Sequence, residues 1–391
     1  MNARPWAVFA GGGTGGHLYP GLAVAAELVE RGHDPSTLHF VGAKRGLEAR
    51  TKALEAFPAT FLPGRGLSRS RAPVAVRQNL LALVSSAQAL VRAVMLFARW
   101  RPAVVVSLGG YASFPCVAAA VITRCPIVVV NVDAVAGAVN RWAARFAKVC
   151  AVGAPAVDVP RSVYTGVPVR RSLGAVDRSP EGRARARRSL GLPESGWVVA
   201  VSGGSLGARS INEAALGLGV LWAGRTDVCI FHVVGRRDWE VVSPRCPSTS
   251  GGLRYIAVPY QEDMASLYAA ADVAVQRAGA NTVAELALAG VPCVLVPLPG
   301  SPGDHQGANA RALAATGAGV VVADNELGAE RLASELDALF SDPGRLDAMG
   351  ERARSLARPG AAAKVADLVE QSARGRGLAQ PGHADPEAKP S

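Results

Sequence analysis

His17 closes the glycine-rich run FAGGGTGGHLYPG, Phe9 to Gly21. A glycine turn between a strand and a helix lets backbone N–H groups approach an anion closely, and the helix N-terminus adds partial positive charge. The run therefore suits a phosphate or diphosphate. A histidine in the first helical turn beside such a cradle is placed to serve as a general base near neutral pH. The structural alternative is a helix-start residue packed on a neighbouring strand. Read literally, Gly11, Gly13 and Gly16 satisfy G-x-G-x-x-G, a dinucleotide fingerprint that also needs an acidic residue at the tip of the second strand. That tip reads FVGAKRG, with Lys44 and Arg45, so of the dinucleotide readings an NADP site stays open.

Two further constellations share this character. In SGGSLGAR, Gly203, Gly204 and Ser205 follow a strand and open a helix, which suits a second phosphate. In QRAGANTVAELALAG, the strand VAVQ gives way to a helix expected to start near Asn281 or Thr282. Thr282-x-x-Glu285 reads as a capping box. The competing use places Glu285 on a ribose diol, as acidic residues do in nucleotide sites. Arg277 and the small residues beside it leave room for a nucleotide against the backbone. In DHQGANA, Asp304 to Ala310, Gln306 and Asn309 are candidates for sugar hydroxyls.

These loops need rigid elements behind them. Short β-branched runs (WAVFAG, LHFVG, AVVVSLGG, PIVVVNV, then WVVAVSGG, VCIFHVVG, LRYIAV, VAVQRAG, PCVLVPL) alternate with helical patterns. That rhythm predicts doubly wound parallel α/β sheets. The plan strand, glycine turn, helix occurs twice, at WAVFAGGGTGGH and at WVVAVSGGSLGA, which implies two Rossmann-like domains. YTGVPVRRS is the expected hinge. Ligands of open α/β sheets bind at the carboxyl ends of the strands, so two such domains facing each other place function in the cleft between them.

Composition narrows the classes. The 391 residues are 49% hydrophobic, enough for a sizeable core. Six cysteines show no C-x-x-C pair, so reduced, buried thiols are expected and zinc is not. The opening MNARPWAVFAGGG carries no secretory signature. The uncharged stretch Pro102–Thr123 contains SLGGYASFPC, which fits strand, loop and helix better than a membrane span. The formal net charge is +11, but aromatics are only 5% and no nucleic-acid motif occurs, so nucleic acid is not an expected partner. The arginine-rich DRSPEGRARARRSLGL reads as a solvated helix face.

In order, GGTGGHLYPGLAVA, SLGGYASFP, GGSLGA, DMASLYAAADVAVQRAGANTVAELALAGVPCVLVPLP and HQGANA resemble the MurG family of peptidoglycan N-acetylglucosaminyltransferases, from about Val8 to about Ala373. The resemblance implies the GT-B fold: two Rossmann-like α/β domains of doubly wound parallel sheet facing across a cleft. It implies an N-terminal acceptor- and membrane-facing domain over 1–165, a UDP-sugar donor domain over 166–357, a helix over 358–373 packing back on the first domain, and a disordered tail over 374–391. It further implies an inverting transfer of N-acetylglucosamine from UDP-GlcNAc to the 4-OH of an undecaprenyl-diphosphate-linked muramyl-pentapeptide, lipid I to lipid II.

Carried over residue by residue, the resemblance puts Ser205 on the diphosphate and Arg170 near the donor phosphates. Ala280, Asn281, Thr282 and Glu285 fall at the ribose and phosphates, Gln306 at the sugar hydroxyls and Gln261 at the uracil-reading turn. Thr14, Gly15 and Gly16 form the first-domain loop, with His17 as base or acceptor-orienting group. No DxD-type carboxylate pair accompanies the loops, so no metal or cofactor is expected in the catalytic step. The implied partners are an anionic membrane surface at the cytoplasmic face of the cell membrane, bound peripherally, and cell-wall and division proteins. The candidate patch is VRQNLLALVSSAQALVRAVMLFARWRP, with Arg65, Arg69, Arg71 and Arg77 on the approach; the alternative is an ordinary core helix.

Three segments depart from the family pattern. H-E-x-N is replaced by Val130-Asn131-Val132-Asp133, G-N-P-V-R by Gly166-Val167-Pro168-Val169-Arg170, and G-G-S-Q-G-A by GGSLGA with Leu206. Asp133 is expected on the first-domain wall where the acceptor lies, and a carboxylate beside a diphosphate is repulsive unless a cation offsets it. An alternative acceptor, or a non-catalytic paralogue, follows from these changes.

Overall fold

Both faces of a central parallel strand must be covered, so such strands read as unbroken apolar runs rather than alternating ones. The computed structural model, which describes residues 4–12, 15–43, 54–63, 73–204, 207–247 and 252–374 (backbone only for 73–83), turns each apolar run named above into a strand. Thr14, Ser205, Lys44, Arg45, Arg65, Arg69, Arg71, the Arg77 side chain and the tail from 375 onward lie outside the described residues or side chains.

The chain divides into two compact units. The first draws on residues 1–132, 136–168 and 360–391 and contains β1 (Ala7–Gly11), α1 (Gly15–Glu30), β2 (Leu38–Ala43), β3 (Ala59–Leu62), α2 (Pro73–Trp100), β4 (Val104–Gly109), α3 (Phe114–Ile122), β5 (Ile127–Asn131), α4 (Ala138–Ala144), β6 (Val149–Val152) and β7 (Ser162–Tyr164). The second draws on 133–135 and 169–359. It contains α5 (Arg171–Gly174), α6 (Pro180–Ser189), β8 (Trp197–Ser202), α7 (Arg209–Leu221), β9 (Val228–Val233), α8 (Trp239–Val242), β10 (Arg254–Val258), α9 (Met264–Ala270), β11 (Val273–Gln276), α10 (Ala280–Ala289), β12 (Cys293–Leu295), α11 (His305–Ala314), β13 (Gly319–Val321), α12 (Ala329–Phe340) and α13 (Pro343–Leu356). The last helix, α14 (Ala361–Ala373), returns to the first unit.

Among the described residues the first sheet has seven strands in the order β3-β2-β1-β4-β5-β6-β7; the second has six, β10-β9-β8-β11-β12-β13. Every strand pairing among the described residues is parallel. Strand order reverses between β1 and β4 in one sheet and between β8 and β11 in the other. Beyond the carboxyl ends of those strands the loops diverge and leave a crevice. Each of the glycine-rich or small-residue turns singled out above follows one of these four strands. Pro102–Thr123 resolves into β4, a short turn and α3, as its glycines and proline required.

Cores form on both faces. Val8, Ala10, Val105, Ile127 and Val129 pack with Ala89, Ala93, Phe97 and Val117 in the first unit. Val199, Val201, Val273 and Val275 pack with Ile211, Leu218, Leu332 and Leu336 in the second. Helix α14 is held to the end of α1 by Arg31, which reaches Asp367 at 2.6 Å and Glu370 at 3.0 Å, with His33 Nε2 3.0 Å from the same glutamate. Five of the six cysteines are buried.

The arginine-rich α6 corrects its expected role. Arg187 is only 5% exposed and donates to Asp272 Oδ2 at 2.8 Å, Arg183 bonds the other carboxylate oxygen, and Arg178 caps the end of α9 through the carbonyls of Tyr268 and Ala271. Asp272 also accepts from the Val198 amide at 2.6 Å. Arg185 and Arg188 alone keep the solvated role along that helix with exposed side chains. Removing Asp272 would strand buried cations, a loss of about 3–5 kcal/mol.

Candidate active site

In the first unit, the turn after β1 delivers His17 into the first turn of α1. Its imidazole lies against the turn after β4. A methyl group added at Gly110 would sit 2.7 Å from the Gly12 carbonyl oxygen and 3.3 Å from His17 Nδ1; one at Gly109 would sit 3.2 Å from His17 Cδ2 and 3.0 Å from Asn140 Nδ2. Gly109 and Gly110 have positive φ, 91° and 75° respectively, a conformation that side chains rarely adopt. The paired glycines of SLGG thus clear the space that the histidine occupies. Asn140, 6% exposed at α4, donates from Nδ2 to Asn131 Oδ1 at 3.0 Å, while its own Oδ1 is buried without a hydrogen-bond partner. Asn140 was not among the expected site residues; an asparagine on a short helix carries no pattern of its own. Gly15 and Gly16 open α1 beside His17.

In the second unit, Gly279 caps α10 and the helix starts at Ala280. Asn281, Thr282 and Glu285 are therefore already inside it, and no side chain caps it. The expected capping box at Thr282 and Glu285 does not form, because the chain enters the helix two to three positions before Thr282. Glu285 turns instead toward Tyr268, whose hydroxyl lies 3.3 Å from Glu285 Oε2 and 3.1 Å from Gln276 Oε1. Arg170 Nη2 stands 4.0 Å from Glu285 Oε1, and Arg170 Nη1 donates to the Glu262 carbonyl at 3.2 Å. The glutamate side chain is 15% exposed and the arginine 37%. Burial pushes the Glu285 carboxyl above the ordinary glutamate range, with Arg170 and the Tyr268 hydroxyl pulling the other way. The result is a desolvated acid with a cation at its edge, a charge arrangement fit for a diol and phosphates. Tyr268, 1% exposed, was missed because it reads as a core aromatic in SLYAAAD.

The remaining candidates separate. Gln261 Nε2 donates to the Asp263 carbonyl at 2.9 Å and so shapes the turn before α9. Gln306 Oε1 accepts from the Leu298 amide at 3.0 Å, which orients the side chain at the start of α11. Asn309 differs from its expected sugar contact: its amide is spent on the Ala134 amide at 3.0 Å, the Ala278 carbonyl at 3.1 Å and Asp133 at 3.5 Å. Asp133 accordingly groups with the second unit, not with the first where the sequence put it. Arg277, read as flanking room for a nucleotide, serves as a brace, bonding Asp324 at 2.5 Å, Ser210 at 2.9 Å and the Val296 carbonyl at 3.1 Å. At the second glycine loop, Ser202 Oγ accepts from the Gly204 amide at 3.2 Å.

Two parallel α/β sheets with phosphate-type turns at their switch points give the class of the fold, GT-B. The glycosyltransferase family 28 N-terminal domain matches residues 7–152 and the family's C-terminal domain matches residues 198–371. The chain is 36% identical to the UDP-N-acetylglucosamine--N-acetylmuramyl-(pentapeptide) pyrophosphoryl-undecaprenol N-acetylglucosamine transferase of Desulforudis audaxviator, covering 94% of this chain and 98% of the relative. It is 39% identical to the protein of the same name from Alkalilimnicola ehrlichii, covering 93% and 98%. Among solved structures, MurG of Acinetobacter baumannii matches with a TM-score of 0.69 at 29% identity, covering 93% of this chain and 99% of that one. The chain belongs to this MurG family of N-acetylglucosamine transferases within glycosyltransferase family 28.

Proposed function

We propose that this chain transfers N-acetylglucosamine from UDP-GlcNAc to the 4-OH of the muramyl sugar of undecaprenyl-diphosphate-linked muramyl-pentapeptide, making lipid II from lipid I. The observation that carries the reading is likeness over nearly the whole chain to transferases named for that reaction. In this reading, residues 1–165 serve the acceptor and membrane and residues 166–357 hold the donor. Glu285 binds the ribose diol, Arg170 and Ser205 the diphosphate, Gln306 the sugar hydroxyls, and the turn at Gln261 the uracil. Ala280, Asn281 and Thr282 offer first-turn amides of α10 to the nucleotide. Thr14, Gly15 and Gly16 line the reacting sugar.

The acceptor oxygen attacks the anomeric carbon from the face opposite UDP. The new C–O bond forms as the bond to the β-phosphate oxygen breaks, the configuration inverts, and the hydroxyl proton passes to His17. General base assistance of this kind contributes about 10²–10⁴-fold. Charge that develops on the leaving diphosphate is stabilised by Arg170 and helix amides. Incubation with radiolabelled UDP-GlcNAc and the lipid acceptor should yield labelled disaccharide-lipid; no product beside an active control enzyme overturns the reading.

A lipid acceptor calls for peripheral docking on the anionic cytoplasmic face. No helix among the described residues is long and apolar enough to cross a membrane. Exposed apolar residues support docking: Val84, Val91 and Met95 on α2, and Phe114 and Phe146, which flank the half-buried Trp142 beside Arg141 and Arg145. A second reading, a different lipid or small-molecule acceptor, is motivated by the departure from H-E-x-N at Val130-Asn131-Val132-Asp133. If restoring H-E-x-N at 130–133 leaves lipid I turnover unchanged from an already active protein, that reading is unnecessary.

A further inference from the structure

The proposed chemistry leaves unused a buried polar chain beneath the second glycine turn. His232, on β9, has no exposed surface. Its Nδ1 lies 2.7 Å from the Tyr255 hydroxyl and its Nε2 3.0 Å from Asn212 Oδ1. Asn212, also fully buried on α7, places Nδ2 at 3.2 Å from both the Val234 carbonyl and Asp238 Oδ2.

The chemistry of these groups leaves one assignment. A carbonyl and a carboxylate only accept, so the amide nitrogen of Asn212 must face them and its oxygen must face His232. Nε2 therefore carries the proton. Burial pushes His232 down to about 4, so the ring is neutral and Nδ1 accepts from the tyrosine hydroxyl. Hydrogen bonds run in one direction, from Tyr255 on β10 through His232 and Asn212 to Asp238.

The far end of the chain meets the turn. Gly207 has φ of 88°, and a methyl group there would sit 2.4 Å from the Val234 carbonyl oxygen and 2.7 Å from Asp238 Oδ2. Arg237 clasps the same point, bonding Asp238 Oδ1 at 2.8 Å and the Gly207 carbonyl at 3.3 Å. The Gly207 amide closes on the Gly204 carbonyl at 2.9 Å. Ala208 follows as the N-cap of α7, which begins at Arg209, and no side chain caps its N-terminus, which leaves first-turn amides for an anion.

We propose that Tyr255, His232, Asn212 and Asp238 are positioning residues that hold Gly207 and the uncapped first turn of α7 for the donor diphosphate. The inference rests on the donor reading above. A merely structural chain would lower stability and treat every nucleotide alike; a positioning chain acts on the diphosphate.

Calorimetric titration of UDP and of uridine separates these roles. Relative to wild type, Tyr255→Phe and His232→Phe should each weaken UDP by about tenfold while uridine changes less than twofold. His232→Gln, whose amide can still donate to Asn212 Oδ1, should recover most of the UDP affinity. Unchanged UDP affinity in folded Tyr255→Phe protein, or equal loss of UDP and uridine, overturns the proposal. Should His232→Phe fail to fold, Tyr255→Phe, which deletes one oxygen at the edge of the network, still decides it. A wild type that binds uridine but not UDP removes the donor-diphosphate reading and the proposal with it.

Discussion

In the first unit, the turn after β1 places a histidine against bare backbone, with Gly109 and Gly110 held at positive φ to make the room. In the second, the turn after β11 places a glutamate among side chains, with Tyr268 on one oxygen and Arg170 near the other. The two turns share a plan of strand, small residues and helix, yet they solve different problems. The first clears volume so that one titratable ring stands beside a glycine turn. The second desolvates a carboxylate and offsets its charge. The contrast predicts that the first site is sensitive to added atoms and the second to altered charge, matching the roles in turnover and in donor binding proposed above.

The sharpest way to break that assignment is His17→Ala. Turnover should fall by about 10²–10⁴-fold, with UDP affinity within twofold of wild type by calorimetry. A parallel loss of UDP binding would dissolve the distinction between the two turns. Next comes Gly110→Ala, whose new methyl meets the Gly12 carbonyl oxygen at 2.7 Å. Displacing His17 by a fraction of an ångström should cut kcat by up to about 10²-fold, and the melting temperature should drop, since the positive φ costs about 1–2 kcal/mol for a side chain.

Glu285→Gln tests the other turn. The Michaelis constant for UDP-GlcNAc should rise about tenfold with kcat little changed, because a charged hydrogen bond is worth about 1.5–3 kcal/mol. The raised pKa of Glu285 carries two signs. Its ionised form is disfavoured in the fold, so its contribution to stability is fully present below the ordinary glutamate pKa and is lost as pH rises through the higher folded value. At neutral pH the glutamine variant should thus melt no lower than wild type. UDP affinity should weaken as pH falls, with a midpoint above the ordinary 4.5, and the glutamine variant should lose that dependence. The smallest effect belongs to Thr282→Ala. A true N-cap costs about 0.5–2 kcal/mol on replacement; with Gly279 as the cap, chemical denaturation should shift by less than about 0.5 kcal/mol.

The central strands other than β6 were legible because both faces are buried and their apolar runs are unbroken. Of the four edge strands only β10 was. β3, β7 and β13 carry exposed or half-buried residues at most positions, so they lack the apolar signature and exist because a neighbouring strand offers hydrogen bonds. The arginines of α6 read as a solvated face because periodicity reports spacing, not partners; Asp272, far away in sequence, turned two of them, Arg183 and Arg187, inward. Thr282 and Glu285 matched a capping pattern, but the tight turn after Gln276 started α10 early and released the glutamate.

By itself the sequence determined the class. Two glycine turns, each after an apolar strand, and an ordered set of motifs specify two parallel sheets and a nucleotide-sugar transferase, because those features depend on local backbone freedom and on burial along contiguous residues. Only the tertiary structure decided which polar side chains are free to act. Asn309 and Arg277 are spent on bracing, Asn140 and Tyr268 join the candidate sites, and His232 links two strands and a helix. Hydrogen-bond satisfaction in a buried site is settled by neighbours distant in the chain, and no spacing along the sequence encodes them.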